Sequence, residues 1–164
     1  MDDLLNLLAA WPGARWLQGS GTAYLVVNAA HILGLGLLIG AIVPLDVAVL
    51  RHKPPAAAGT AAERLRVLLD VLPRAAAQGL VLALLTGVWL FSVRPHDYLG
   101  NAAFLAKLAL LTLALLNVAW QHRGPAWAAL RRGAPSTAGQ RLRAALSLLL
   151  WGAVLLAGRW IGFV

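Results

Sequence analysis

The chain has 164 residues, 60 % of them apolar and only 12 % charged, with a formal net charge of +8. Soluble domains carry about 25 % charged residues, so there is too little polar surface here to cover a water-exposed globule. The absence of cysteine excludes a disulfide framework, a thiolate metal site and a cysteine nucleophile.

The N-terminus, Met1-Asp2-Asp3, is acidic and lacks the cationic start of a secretory signal peptide. Residues 1–21 carry Leu4, Leu5, Leu7, Leu8, Trp11, Trp16 and Leu17, a short amphipathic helix broken at Pro12-Gly13. It is too short to span a bilayer, which takes roughly 20 apolar residues, and is expected at the interface. Residues 22–164 then form one domain with four apolar stretches of spanning length: about 24–50, 75–93, 102–120 and 144–164. Backbone polar groups cannot go unpaired in lipid, so these stretches are helices. The expected fold is all-α, a polytopic four-helix transmembrane bundle with a short N-terminal interfacial helix. Between the first two spans, Ala56 to Leu72 reads as a second surface helix beside Glu63, Arg64 and Arg66.

Basic residues give the orientation. The loop from Arg51 to Arg74 holds Arg51, Lys53, Arg64, Arg66 and Arg74; that from His122 to Arg143 holds Arg123, Arg131, Arg132, Arg141 and Arg143. Both loops fall on one side of an even-numbered bundle, and the positive-inside rule makes that side cytoplasmic. The expected location is a bacterial inner membrane, multi-pass, with both termini periplasmic. Ten of the 14 basic residues are accounted for by this asymmetry, which leaves no case for nucleic acid as a partner. Trp89, Trp120 and Trp160 sit near span ends as interface anchors do, whereas Trp151 is placed between helices.

Small residues let helices approach closely in lipid. Gly36 and Gly40 form one GxxxG pair, Gly158 and Gly162 another, and Gly79, Ala83 and Gly87 make a stripe at four-residue spacing. Packing within the chain is the expected use; a homodimer contact and glycine flattening beside a planar cofactor are the alternatives.

Four ionisable side chains fall inside spans: His31, Asp46, Lys107 and Arg159. Such residues usually face a protein interior or a water-filled cavity. At 1.5 Å per residue, His31, Lys107 and Arg159 all lie roughly 8–10 Å from the outer end, so they are expected to converge on a polar pocket in the outer third. Long stems also allow Lys107 and Arg159 to snorkel to headgroups. Asp46 belongs to the opposite end, where Arg51, Arg143 or Arg141 is its expected ion-pair partner, a structural lock.

The pocket reads as a site for a quinone headgroup, a haem or an anionic group. Haem b between two facing histidines is not supported within one chain, because His96 is in an outer loop and His52 and His122 lie at the inner edge. Single-histidine ligation, two His31 across a homodimer, or a histidine from another membrane subunit remain open. Gly34 and Gly36 beside His31 would admit a flat ring, and Lys107 with Arg159 could neutralise propionates. A copper or zinc site is a poorer reading with one intramembrane histidine and no cysteine. The sequence has no phosphate loop, no HExxH and no paired carboxylates, which points away from catalysis by this chain alone. The reading is a membrane subunit or binding module for a redox or transport system. A small proton or ion transporter, with His31 and Asp46 on its path, and a structural accessory subunit are the alternatives.

Taken together, His31-Ile-Leu-Gly34, Gly40, Asp46, Gly79, Thr86-Gly87 to Leu90-Phe91, Tyr98 to Asn101, Phe104, Lys107, Asn117, Ser147, Trp151 and Gly158-Arg159 form a pattern over roughly residues 22–164. In these residues the chain resembles a family of small bacterial four-helix inner-membrane proteins catalogued as a domain of unknown function. The resemblance implies fold and location, and no activity. A more distant likeness to cytochrome-b-like and copper-resistance-type membrane bundles is one of architecture.

Overall fold

The computed structural model describes residues 2–52 and 60–163; of residues 60–62 it describes the backbone alone. It is 88 % helical, with no strand among the described residues. Two short helices, α1 (Asp2–Ala10) and α2 (Pro12–Gly19), precede the first long one, α3 (Gly21–Arg51). α4 (Thr60–Phe91), the short α5 (Pro95–Leu99), α6 (Ala102–His122), the short α7 (Pro125–Arg131) and α8 (Ala138–Trp160) follow. α3, the Glu63–Phe91 part of α4, α6 and α8 are each long and apolar enough to cross a membrane.

The exterior confirms which solvent this bundle is built for. Leu149 and Leu156 of α8 are 72 % and 73 % exposed, and Leu25, Leu33, Leu85 and Leu116 present the other three long helices outward in the same way. An apolar belt on every spanning helix suits lipid and not water. This is the fold of a multi-pass membrane protein.

The second span departs from expectation. Ala56 to Leu72 is not a separate surface helix: from Thr60 onward it is continuous with the span as one 32-residue helix that runs through Pro73, while residues 56–59 lie outside the described residues. Proline removes one backbone donor and usually kinks or stops a helix. Here Leu65 and Leu69 before it are buried in the same cluster as Leu45 and Val49 of α3, and that packing carries the helix across the break.

Helix ends follow local chemistry. Ser20 caps α3 by accepting from the Ala23 amide at 3.2 Å. Asn101 caps α6 by accepting from the amides of Ala103 and Phe104. Thr137 and Gln140 form a reciprocal capping box on α8. α1 and α2 break at Trp11-Pro12 and dock on the bundle. The Trp11 indole donates to Ser92 Oγ, the Trp89 indole to the Gly13 carbonyl, and the Gln18 amide to the Val93 carbonyl.

The long helices are not evenly packed. α3 packs extensively on α4, α6 on α8, and α3 on α8, whereas α4 and α6 stand apart. The tightest crossing is between α3 and α4. A methyl placed on Gly34 would lie 2.7 Å from the Ala83 amide nitrogen, and one on Gly79 would lie 2.5 Å from the Leu38 amide nitrogen. Gly79 and Ala83 of the small-residue stripe are therefore a packing seam, as expected. The two GxxxG pairs are not: a methyl on Gly36 or Gly40 would meet nothing within 4 Å, and those on Gly158 and Gly162 would meet only Lys107 and Arg159.

Candidate functional site

The gap between α4 and α6 is a cleft. It holds a cavity of about 290 Å³ walled by Leu80, Leu84 and Val88 of α4 and by Leu108 and Leu111 of α6. Leu84, Val88 and Leu108 are also substantially exposed on the bundle surface, so the cleft opens sideways, into the apolar belt. At the end bearing the termini it is bridged by three rings. Phe91 of α4 stacks on Phe104 of α6 at 5.4 Å, and Tyr98 of α5 contacts both.

His31 and Lys107 face this space from opposite walls. The His31 ring crosses from α3 to α4, with Nδ1 at 2.9 Å from the Ala83 carbonyl and 3.0 Å from Thr86 Oγ1. Thr86 already donates its proton to the Leu82 carbonyl at 2.6 Å. Both neighbours of Nδ1 therefore accept, so Nδ1 carries the proton and donates. Nε2 is left with a lone pair and has no partner among the described residues. Gly87 makes room for the ring, since a methyl there would lie 3.1 Å from His31 Cε1.

Lys107 stands about one and a half turns after the Asn101 cap that starts α6. Its stem lies over Gly158 of α8, Cε being 3.5 Å from where a methyl would stand. It has no ion-pair partner among the described residues. Arg159 lines the wider upper mouth of the cleft with Tyr24, Asn28, His31 and Lys107. It is exposed there, its guanidinium 4.9 Å over the Phe163 ring. His31 and Lys107 thus share the cleft as expected, and Arg159 belongs to its rim.

Gly34 and Gly36 do not serve the cleft. Gly34 is filled by the α4 backbone, and Gly36 faces out of the bundle with open space beside it. The glycines that admit the polar side chains are Gly87 and Gly158. Gly87 continues the Gly79–Ala83 stripe and Gly158 belongs to a GxxxG pair, but spacing alone does not reveal that a side chain, rather than a facing backbone, fills the room beside them.

The expected lock between Asp46 and Arg143 is not formed. Arg143 donates from Nε to the Gly139 carbonyl and from Nη1 to the Trp120 carbonyl, and stacks at 4.9 Å over the Trp120 ring. Its guanidinium finds these partners on its own helix and at the end of α6, on the exposed side. Asp46 is 3 % exposed and points inward instead, flanked by Gln121 and Ser147. The one ion pair among the described residues joins Arg131 to Asp70 at 2.9 Å, on the surface.

For haem, the cleft supplies one imidazole nitrogen. His96 donates to Asn6 at 3.1 Å, and His122 donates from Nδ1 to the Val118 carbonyl at the other end of the bundle. Neither shares the cleft, so a bis-histidine site is not built within the described residues. No group of three or more histidine, aspartate or glutamate side chains that could hold a metal occurs among them either.

Fold and cleft together define a class: a small four-helix membrane bundle with a laterally open, polar-headed cleft. No family model matches the chain, and neither curated proteins nor solved structures provide a match.

Proposed function

We propose that the protein is a membrane binding module for a lipid-dissolved molecule with a hydroxylated ring head, of the quinol type, serving a redox or transport system. The reading rests above all on His31: its Nδ1 is held by the Ala83 carbonyl, and its unpaired Nε2 faces a cleft reached from the lipid side. A neutral imidazole presenting a lone pair accepts from a phenolic O–H. The Lys107 ammonium donates to a ring oxygen or to any negative charge on the head. Phe91 and Phe104 offer ring faces for stacking, and Leu80, Leu84, Val88, Leu108 and Leu111 suit an isoprenoid tail. In this reading the membrane is a bacterial inner membrane, with the two basic loops cytoplasmic and the termini periplasmic. That agrees with the family resemblance in residues 22–164.

Binding of a short-tailed p-quinol to the detergent-purified chain, followed by tryptophan fluorescence, tests it. Saturable binding is expected. His31→Gln and Lys107→Ala should each weaken it about 10- to 150-fold, the value of one hydrogen bond to a charged or strongly polar group. Absence of saturation, or unchanged affinity in both variants, refutes the reading. An absorption spectrum of the same sample decides against it in another way: a Soret band would assign His31 to haem iron.

A further inference from the structure

Beneath the cleft, α3, α4, α6 and α8 surround a second chamber of about 300 Å³. Its walls are mostly aliphatic, yet Asp46, Gln121, Ser147 and Trp151 all face it. Asp46 is 3 % exposed and Trp151 2 % exposed, and neither Asp46 Oδ2 nor Trp151 Nε1 has a partner among the described residues. Buried polar atoms left open this way cost stability unless something fills the space.

The two open atoms are of opposite kind, which restricts the occupant. Trp151 needs an acceptor and Asp46 needs a donor. A bare metal ion cannot accept from an indole N–H, whereas water satisfies both. At about 30 Å³ per molecule the chamber has room for several waters. Charge restricts it further. The titratable groups lining the chamber are Asp46 from α3 and, at its exposed mouth, His122 from α6; α4 and α8 contribute none. Arg143 is committed to Trp120. The carboxylate therefore has no fixed countercharge, and the countercharge that water delivers is a proton.

Leu38, Leu80 and Trp151 line both this chamber and the cleft that holds His31. Two leucines and an indole are thus the partition between them. We propose that the lower chamber is hydrated, that Asp46 is its proton-binding group, and that the bundle passes protons between its two ends with Trp151 as the gate. The Asp46 carboxylate takes a proton from chamber water on one side, and returns it, when Trp151 swings aside, to water reaching in from the mouth lined by Tyr24, Asn28 and Lys107. No electrons move, and the gradient supplies the drive. Binding in the cleft is a separate property and is not needed for this step.

The test uses the full chain in liposomes free of quinone, with an entrapped pH-sensitive dye and a potassium diffusion potential set by valinomycin. Proton flux above that of protein-free vesicles is expected. Asp46→Asn should lower it at least about ten-fold, since it removes the one buried acid on the path, and Asp46→Glu should restore part of it. Trp151→Ala should raise the flux by opening the partition. Gel filtration and thermal midpoints in detergent establish which variants fold. Should Asp46→Asn fail that check, Trp151→Phe keeps the shape, removes the N–H that orders the water, and is expected to lower the flux. Flux equal to that of empty vesicles, or equal flux in the parent and in a folded Asp46→Asn, overturns the proposal.

Discussion

Gly79→Ala isolates the contact on which the site depends. The added methyl would start 2.5 Å from the Leu38 amide nitrogen, 2.7 Å from the Gly34 carbonyl oxygen and 2.9 Å from Leu37 Cβ. Two of these three are backbone atoms that cannot rotate away, so α3 and α4 must part. Reaching an ordinary contact distance of 3.4 Å requires a local separation of about 0.9 Å. Overpacking of this kind costs about 1–3 kcal/mol, and rigid neighbours place Gly79→Ala in the upper half of that range. Ala83 lies one turn along α4 from Gly79, so the same displacement stretches the 2.9 Å bond from His31 past useful length and releases the ring that presents Nε2. Gly36→Ala is the control. Nothing stands within 4 Å of its methyl, and replacing a mid-helix glycine is worth about 0.5–1 kcal/mol in the stabilising direction. Unfolding by sodium dodecyl sulfate titration, followed by circular dichroism, measures both. The reasoning fails if Gly79→Ala falls within about 0.5 kcal/mol of the parent, the scatter of an ordinary surface change, or if Gly36→Ala is the more damaging of the two.

Other perturbations follow from single contacts. Thr137→Ala removes the hydroxyl that caps the Gln140 amide and should cost about 1 kcal/mol in the same titration. Asp70→Asn breaks an exposed ion pair with Arg131 and should cost no more than about 1 kcal/mol, a loss that disappears in high salt. Ser92→Ala takes away the acceptor of the Trp11 indole, so limited proteolysis should cut the first 20 residues faster while the bundle stays intact. Burial of Tyr98, followed by the influence of the Tyr24 hydroxyl beside it, holds the Tyr98 phenol above its usual value of 10.0. The folded state therefore favours the neutral phenol. The corresponding stability is complete below pH 10 and is lost as pH rises through the folded value. Alkaline unfolding should accordingly be delayed in Tyr98→Phe, and an ultraviolet phenolate titration should show one tyrosine ionising late.

The spanning helices are legible in the sequence because length and hydropathy leave one architecture open to them, and His31, Lys107 and Asp46 are legible because ionisable residues within spans are rare. Their partners are not. Asp46 looks like a candidate for Arg143 because both lie near one end, but a helix turns 100° per residue, and depth says nothing of azimuth. Gln121 and Ser147 are neutral and carry no charge signal in a span, so the polar lining they build with Asp46 emerges only when three helices are set side by side. Gly36 and Gly40 mislead for a related reason. Four-residue spacing identifies a smooth stripe on a helix without saying which side of the bundle it faces, and the seam actually used joins Gly34 to Gly79. The continuation of α4 through Pro73 is not legible, because a proline's missing amide is locally a signal for a break. The contacts of Leu65 and Leu69 with α3 are long-range and outweigh that signal.

The open side between α4 and α6 is framed rather than free along its whole length. α3 and α8 share the contact that joins the α3–α4 pair to the α6–α8 pair; across the open side the rings of Phe91, Tyr98 and Phe104 meet at one end, and Asp70 of α4 pairs with Arg131 of α7 at the other. The slot is thus fastened at both ends and open along its middle, so a lipid-dissolved molecule meets a side window rather than an end-on mouth.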